Sequence, residues 1–185
     1  MTFDIEWAPD VVIGRRYKRL QVAPAPPTIR LADPSDVDAI VAMHERCTAR
    51  SLSYRYLSGT FRPTPAQLAQ LVSPAQGCSL VAVDTCVIAV ANLVGQGSCA
   101  EAAILVEDSW QGRGIGTAMM RHLFDVAPQH GIDGVELHLD AGNTPALRLI
   151  RKMSRQIDGE PQWSFDGPII TFSFTTTRPR TPPGD

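Results

Sequence analysis

The sequence predicts an α/β (α+β) protein built on one mixed sheet with helices on both faces, in the order β-α-α-β-β-β-α-β-α-β-β. Three observations lead there. Strand-like runs at 78–83, 87–94 and 101–106 are separated by short turn signals, Asp84-Thr85 and Gly95 to Ser98, which is the pattern of a meander. The third run passes through a glycine-rich turn into an amphipathic helix and returns as a strand at 135–139, a βαβ connection. Two last runs, 162–165 and 169–174, flank Asp166-Gly167, a strong hairpin signal.

The other elements follow from local chemistry. Residues 1–27 are expected to form an arm and linker, with the basic cluster Arg15-Arg16-Tyr17-Lys18-Arg19 on a solvated arm and Pro24, Pro26 and Pro27 leading into a domain over 28–175. Thr28 to Leu31 is a short strand. Asp33-Pro34 starts a helix, with Asp33 as N-cap and Pro34 at the first helical position, and Val37, Ile40, Val41, His44 and Cys47 mark its inward face. Ser51 to Phe61 is expected to be a polar, aromatic connector carrying Tyr54, Arg55 and Tyr56. Thr64-Pro65 repeats the cap-plus-proline signal for a short helix with Leu68, Leu71 and Val72 inward, ended by Ser73-Pro74. The helix over about 114–129 carries Ile115, Ala118, Met119, His122, Leu123 and Val126 at helical spacing, and Gly131 can supply its left-handed closing residue. Asn143, with Pro145 just behind it, caps a further helix bearing Ala146, Leu147, Leu149, Ile150 and Met153. Residues 176–185, with three prolines, are expected to be a disordered tail.

Composition narrows the class. The 185 residues are 44% apolar and 19% charged, which is enough for one domain with a sizeable core. The formal charge of −2 gives no reason to expect nucleic acid or an anionic membrane as partner. No apolar run approaches the roughly 20 residues of a membrane span, and the acidic start Met1-Thr-Phe-Asp-Ile-Glu lacks a signal-peptide core. Of the four cysteines, Cys47, Cys78, Cys86 and Cys99, none lies in C-x-x-C spacing. Three fall in apolar runs and are expected to be small buried hydrophobes. Together with four scattered histidines they give no metal-ligand spacing, so no metal is expected and a cytoplasmic setting with reduced thiols fits best.

The stretch Glu101 to Thr117 carries the chemistry. Gly112, Gly114 and Gly116 stand between a strand and a helix start. Glycine permits close approach of a ligand, and the first N–H groups of a helix have no internal partner and carry the positive end of its dipole. Such a place suits a pyrophosphate. It is not a Walker loop, since no Gly-Lys-Ser/Thr follows. It departs from the dinucleotide fingerprint, whose third glycine would fall on Thr117. What remains is Gln111-x-x-Gly114-x-Gly116 behind a strand.

That pattern resembles the pyrophosphate loop of the GNAT superfamily of acyl-CoA-dependent N-acyltransferases. The resemblance covers about residues 28–175 and includes a second motif, Asn143-x-x-Ala146-x-x-Leu149. It implies a mostly antiparallel sheet and acetyl-CoA as acyl-donor substrate. Gln111, Gly112, Arg113, Gly114, Ile115, Gly116 and Thr117 would hold the pyrophosphate, with Gly114 and Gly116 expected where phosphate oxygens approach the main chain. Ile104 and Val106 would meet the pantetheine arm through their main chain, with Asn143 flanking it. Glu101 matches the glutamate that many members use as general base, with Glu107 and Asp108 as weaker candidates.

Two departures stand out. Ile150 occupies the place where the family often has a tyrosine acid for the CoA thiolate, and Ser154 replaces a common glycine. Water, Tyr54 or Tyr56 would then supply the proton. A finer resemblance joins Ser51-Leu-Ser-Tyr-Arg-Tyr-Leu and Glu101 to the catalytic domain of bacterial Pat-type protein lysine acetyltransferases. Tyr54 and Tyr56 would then line the acceptor side; the alternative is that they pack the helix pair. The implied activity is direct acetyl transfer to a primary amine, either a protein lysine or a small molecule. A longer acyl donor, or a non-catalytic acyl-CoA sensor, are the other readings. A homodimer is compatible with the resemblance.

Overall fold

Seven strands, β1 (Thr28–Leu31), β2 (Gly77–Val83), β3 (Val87–Gln96), β4 (Cys99–Val106), β5 (Gly134–Asp140), β6 (Gln162–Asp166) and β7 (Ile169–Thr175), form one sheet in the computed structural model. Their order is β1-β2-β3-β4-β5-β7-β6. Every neighbouring pair is antiparallel except β4 and β5, the pair joined by the long crossover. The structure describes residues 26–155 and 161–176; the Arg15–Arg19 cluster and the proline-rich tail lie outside them.

Helices α1 (Val37–Arg46), α2 (Ala49–Tyr56) and α3 (Pro65–Val72) cover one face, and α4 (Ile115–Val126) and α5 (Thr144–Ser154) the other. Strand alternation sorts the core accordingly. Val81, Val90 and Leu105 meet Ile40, Met43, Leu52 and Leu68 on the first face. Leu80, Ala91, Val135 and Leu137 meet Met119, Leu123, Ile150 and Met153 on the second. Each fully buried leucine, isoleucine or methionine contributes roughly 1.5–3 kcal/mol relative to exposure. Among the described residues no helix is long and apolar enough to cross a membrane.

The predicted caps are in place. Asp33 accepts from Ser35 N ahead of a short 3-10 turn into α1, Thr64 forms a capping box with Gln67, and Asn143 accepts from Ala146 N. Two expectations need correcting. The first half of the connector is helix α2, started by Thr48, whose hydroxyl accepts from Ser51 N. Only Leu52 on it is buried, so no apolar periodicity announced it. Of the cysteines, only Cys47 and Cys78 are buried, because Cys86 sits in the turn after β2 and Cys99 opens β4 beside a turn.

His44 is a packed core residue. Its Nδ1 lies 2.8 Å from the Ile40 carbonyl and its Nε2 lies 2.7 Å from the Tyr56 hydroxyl. A carbonyl only accepts, so Nδ1 carries the proton and Nε2 accepts from Tyr56. Burial lowers the His44 pKa from 6.5, against the Ile40 bond and with help from the Arg55 charge. The folded state therefore resists protonation more than the unfolded chain. Stability is full above about pH 6.5 and declines as pH falls below it, where only the unfolded state takes up the proton. We expect Tm to drop between pH 7 and pH 5, and His44→Gln to flatten that slope; an unchanged slope would remove His44 as its source.

Candidate active site

A cleft opens where β4 and β5 separate. They pair only at Cys99–Gly134, Ala100–Val135 and Glu101–Glu136, whereas β4 stays paired with β3 as far as Val106. Just past β4, Glu107 N donates to Ile88 O at 2.9 Å. Alternation in an antiparallel ladder then turns the main-chain groups of Glu101, Ala103 and Leu105 toward β3, and those of Ala102, Ile104 and Val106 toward the gap. Such groups need partners. The Gln111 side chain supplies one, donating to Val106 O at 3.0 Å and to Ser51 Oγ at 3.1 Å.

The cavity at this fork has a volume of about 770 Å³ and runs from Glu101 along Ile104 and Val106 to the glycine-rich loop. Gly112 and Gly114 have φ of 74° and 86°, the left-handed region, and a Cβ at either would meet no protein atom within 4 Å. The loop main chain is therefore bare on one side, with room for a ligand to touch it. Gly114 begins α4 without a side-chain cap, while α2, α3 and α5 are capped by Thr48, Thr64 and Asn143. The N–H groups of Ile115, Gly116 and Thr117 are left for a ligand, with the helix dipole behind them. These residues fit the pyrophosphate of CoA.

Gly116 serves a different purpose from the other two. A Cβ there would stand 3.0 Å from Leu149 Cδ1 and 3.9 Å from Val106 Cγ2, so its bareness brings α4 close to α5. Arg113 stacks its guanidinium 4.6 Å over the Trp110 ring and does not line the cleft. Gln111, Thr117 and Asn143 do line it.

Glu101 is exposed and stands on the last paired rung, at the mouth of the fork. Among the described residues it makes no ion pair. Its neighbours in sequence are committed elsewhere. Glu107 accepts from Arg46 Nε at 2.8 Å and from Ser109 Oγ at 2.7 Å. Asp108 accepts from Thr48 N and Oγ1, both at 2.9 Å, and from Ser51 Oγ at 2.8 Å. Burial pushes the Asp108 pKa up, but the bonds from Thr48 and Ser51 outweigh it and hold the carboxyl below its usual range. Both carboxylates thus fasten α1 and α2 to the end of β4.

The two tyrosines part company. Tyr54 lines the cleft: its hydroxyl donates to Gly142 O at 3.1 Å and accepts from Arg50 Nη2 at 3.1 Å, bridging α2 to the loop before α5. Tyr56 lies behind, bonded to His44 and packed edge-on against Phe61, 5.1 Å between centroids. It lines a second cavity of about 440 Å³ with Phe61, Pro63, Gln67, Leu71 and Val94. Arg55 lines both cavities. Ile150 borders the cleft but is buried, and Ser154 Oγ donates back to its carbonyl at 2.9 Å. Burial, with Asp108 and Glu107 nearby, pushes the Cys47 thiol up to about 11, so it stays protonated and is a poor nucleophile. Sequence reasoning missed Arg50 as a partner of Tyr54; the signal was their spacing of four on a helix.

Residues 42–154 match the model of the Acetyltransferase (GNAT) family. No curated protein matches the sequence. The fold is similar to the GNAT domain of S. lividans PAT, with a TM-score of 0.72 and 20% identity, over 80% of this chain and 90% of that one. It is also similar to the ribosomal-protein-S18-alanine N-acetyltransferase from Escherichia coli, with a TM-score of 0.65 and 16% identity, over 86% and 99%. The spermidine N-acetyltransferase from Vibrio cholerae, solved with CoA and spermine, gives 0.63 and 14%, over 82% and 96%. At these identities the solved structures speak for the fold, and the family rests on the model that spans more than half of the sequence. On that ground the chain belongs to the GNAT family of acyl-CoA-dependent N-acetyltransferases.

Proposed function

We propose that this enzyme moves an acetyl group from acetyl-CoA directly to a primary amine, with a protein lysine as acceptor and Glu101 as general base. The observation that carries the reading is the place of Glu101: a carboxylate without an ion pair among the described residues, at the mouth of a fork whose other end is the glycine-rich loop. Bound acetyl-CoA would supply the thioester. Gly112, Gly114, Ile115, Gly116 and Thr117 would hold its pyrophosphate, and Gln111 would keep the loop against the end of β4. The gap-side main chain of Ile104 and Val106, beside Asn143, would receive the pantetheine arm as a strand receives a neighbour. An unpaired N–H there would stabilise negative charge developing on the carbonyl oxygen.

The proton from the amine would pass to Glu101, directly or through water. With Ile150 apolar, Tyr54, whose hydroxyl stands on the cleft wall, would return one to the leaving thiolate. Tyr54→Phe is expected to lower kcat about tenfold or more while acetyl-CoA affinity stays within about twofold. Steady-state kinetics and calorimetry check this, and an unchanged kcat would leave Tyr54 as a bridge to Gly142 alone. The likeness to the PAT domain and the Ser51–Tyr56 segment support the lysine acceptor. A small-molecule amine is the second reading, favoured by the separate cavity of about 440 Å³, which is of ligand size. Thiol release from acetyl-CoA with lysine peptides and small amines, with mass spectrometry of the products, tests the function. No release with any amine would count against transfer.

A further inference from the structure

Arg55 is a charged group on the cleft wall to which the acyl-donor site gives no role. It lines both the donor cleft, as Glu101 does, and the second cavity. Its Nη2 donates to Asn92 Oδ1 at 2.6 Å. Asn92 is held in turn, donating to Ser79 Oγ at 2.7 Å and to Leu71 O at 3.3 Å. The Tyr56 ring lies 4.9 Å from the guanidinium carbon. Arg55 Nε is buried with no hydrogen-bond partner, and among the described residues no carboxylate is within ion-pair distance of the side chain.

A guanidinium keeps its proton in proteins. Burial lowers the pKa of Arg55, against the influence of Tyr56 and Glu101, but a guanidinium starts far above the physiological range. An amide oxygen and a ring face compensate only part of this half-buried charge, and an anion would complete the site. The second cavity points the same way. Its walls are apolar, aromatic or amide, and Arg55 is the sole formal charge among the residues that line it. Val94 in that wall pairs in register with Glu101 on the next strand, so the cavity adjoins the proposed base.

We propose that Arg55 binds a carboxylate of the acceptor, so that the acceptor presents its amine to Glu101, its carboxylate to Arg55 and an apolar body to the second cavity. The amine half rests on the assignment of Glu101 above. Such a pair of opposite charges selects a zwitterionic acceptor and rejects a polyamine, whose next cation would meet Arg55. The carboxylate can belong to a free amino acid or to an acidic side chain beside a target lysine.

The first measurement needs no turnover. 3-Phenylpropionate and its neutral amide, 3-phenylpropanamide, are titrated calorimetrically into the CoA-saturated protein. The carboxylate is expected to bind at least about tenfold more tightly. Arg55→Gln should abolish that difference and leave CoA affinity unchanged, while Arg55→Lys, which keeps the charge, should retain part of it. Equal binding of the two probes, binding of neither, or a preference that survives in Arg55→Gln would overturn the proposal. A merely structural arginine would weaken both probes alike.

The second measurement separates the sources. Acetyl transfer is compared for L-phenylalanine against 2-phenylethylamine, and for lysine peptides with Glu against Gln beside the lysine. In one arm the carboxylate-bearing member should show a kcat/KM at least about tenfold higher, expressed in KM and lost in Arg55→Gln. Transfer without such preference in both arms would overturn the proposal. Absence of transfer to every amine, with the calorimetric preference intact, supports Arg55 as a carboxylate site and counts against Glu101 as base.

Discussion

Glu101→Gln is expected to lower kcat by about 10²–10⁴-fold at neutral pH and to leave the Kd for acetyl-CoA within about twofold. A lysine ammonium has a pKa near 10.4, so presenting it as a neutral nucleophile at pH 7 costs about 4–5 kcal/mol. A carboxylate at the fork both attracts the cation and accepts its proton, and the amide of glutamine does neither. Because the free-base fraction of the amine rises about tenfold per pH unit below that pKa, the deficit should shrink as pH is raised toward 10. CoA binding should be spared because the glycine-rich loop lies at the other end of the cleft from the first rungs of β4. A kcat within twofold of wild type at pH 7 would remove Glu101 from the mechanism. Glu107 and Asp108 would not inherit the role without breaking their bonds to Arg46, Thr48 and Ser51.

What the sequence made legible was local. Asp33, Thr64 and Asn143 were found because an N-cap is a contact within three residues, and the βαβ unit because its helix carries a dense apolar stripe. Helix α2 was hidden for the opposite reason. It buries one apolar side chain, Leu52, and is held by Asp108, which lies sixty residues away from Thr48. That omission mattered at the site. Residues two apart share a side in an extended segment, but on a helix they point about 200° apart. Tyr54 and Tyr56, paired on paper as acceptor-side residues, therefore face different cavities.

Arg55 was equally illegible as a charge in need of a partner. Its environment is assembled from Asn92 on β3, Ser79 on β2 and the Leu71 carbonyl on α3, none near it in sequence. The separation of β4 from β5 is not legible in the residues, since nothing in the run Ala102 to Val106 reveals which neighbour it leaves. The surroundings of the glycines are not legible either, because they depend on a distant helix: Gly112 and Gly114 face open space, whereas Gly116 faces Leu149.

That distinction decides how the phosphate loop should be tested. The double variant Gly112→Val, Gly114→Val should weaken CoA binding at least tenfold, since about 1.4 kcal/mol already gives that factor. Two effects add in the same direction. Both glycines hold positive φ, where a β-branched residue costs roughly 1–3 kcal/mol and pulls the loop from its shape. Both new side chains would also project into the space beside the bare main chain, which the pyrophosphate would fill. Gly116 is left untouched, because a valine there would press on Leu149 and confound binding with α4–α5 packing. Dephospho-CoA, which keeps the pyrophosphate, should lose affinity in parallel, while a pantetheine fragment, which lacks it, should bind nearly as before. Calorimetric titration of the three ligands, with a cooperative melting transition as control, separates a lost cradle from a damaged fold. If the folded double variant binds CoA as tightly as wild type, the loop only starts a helix, and the donor must be held by β4 and Asn143 instead.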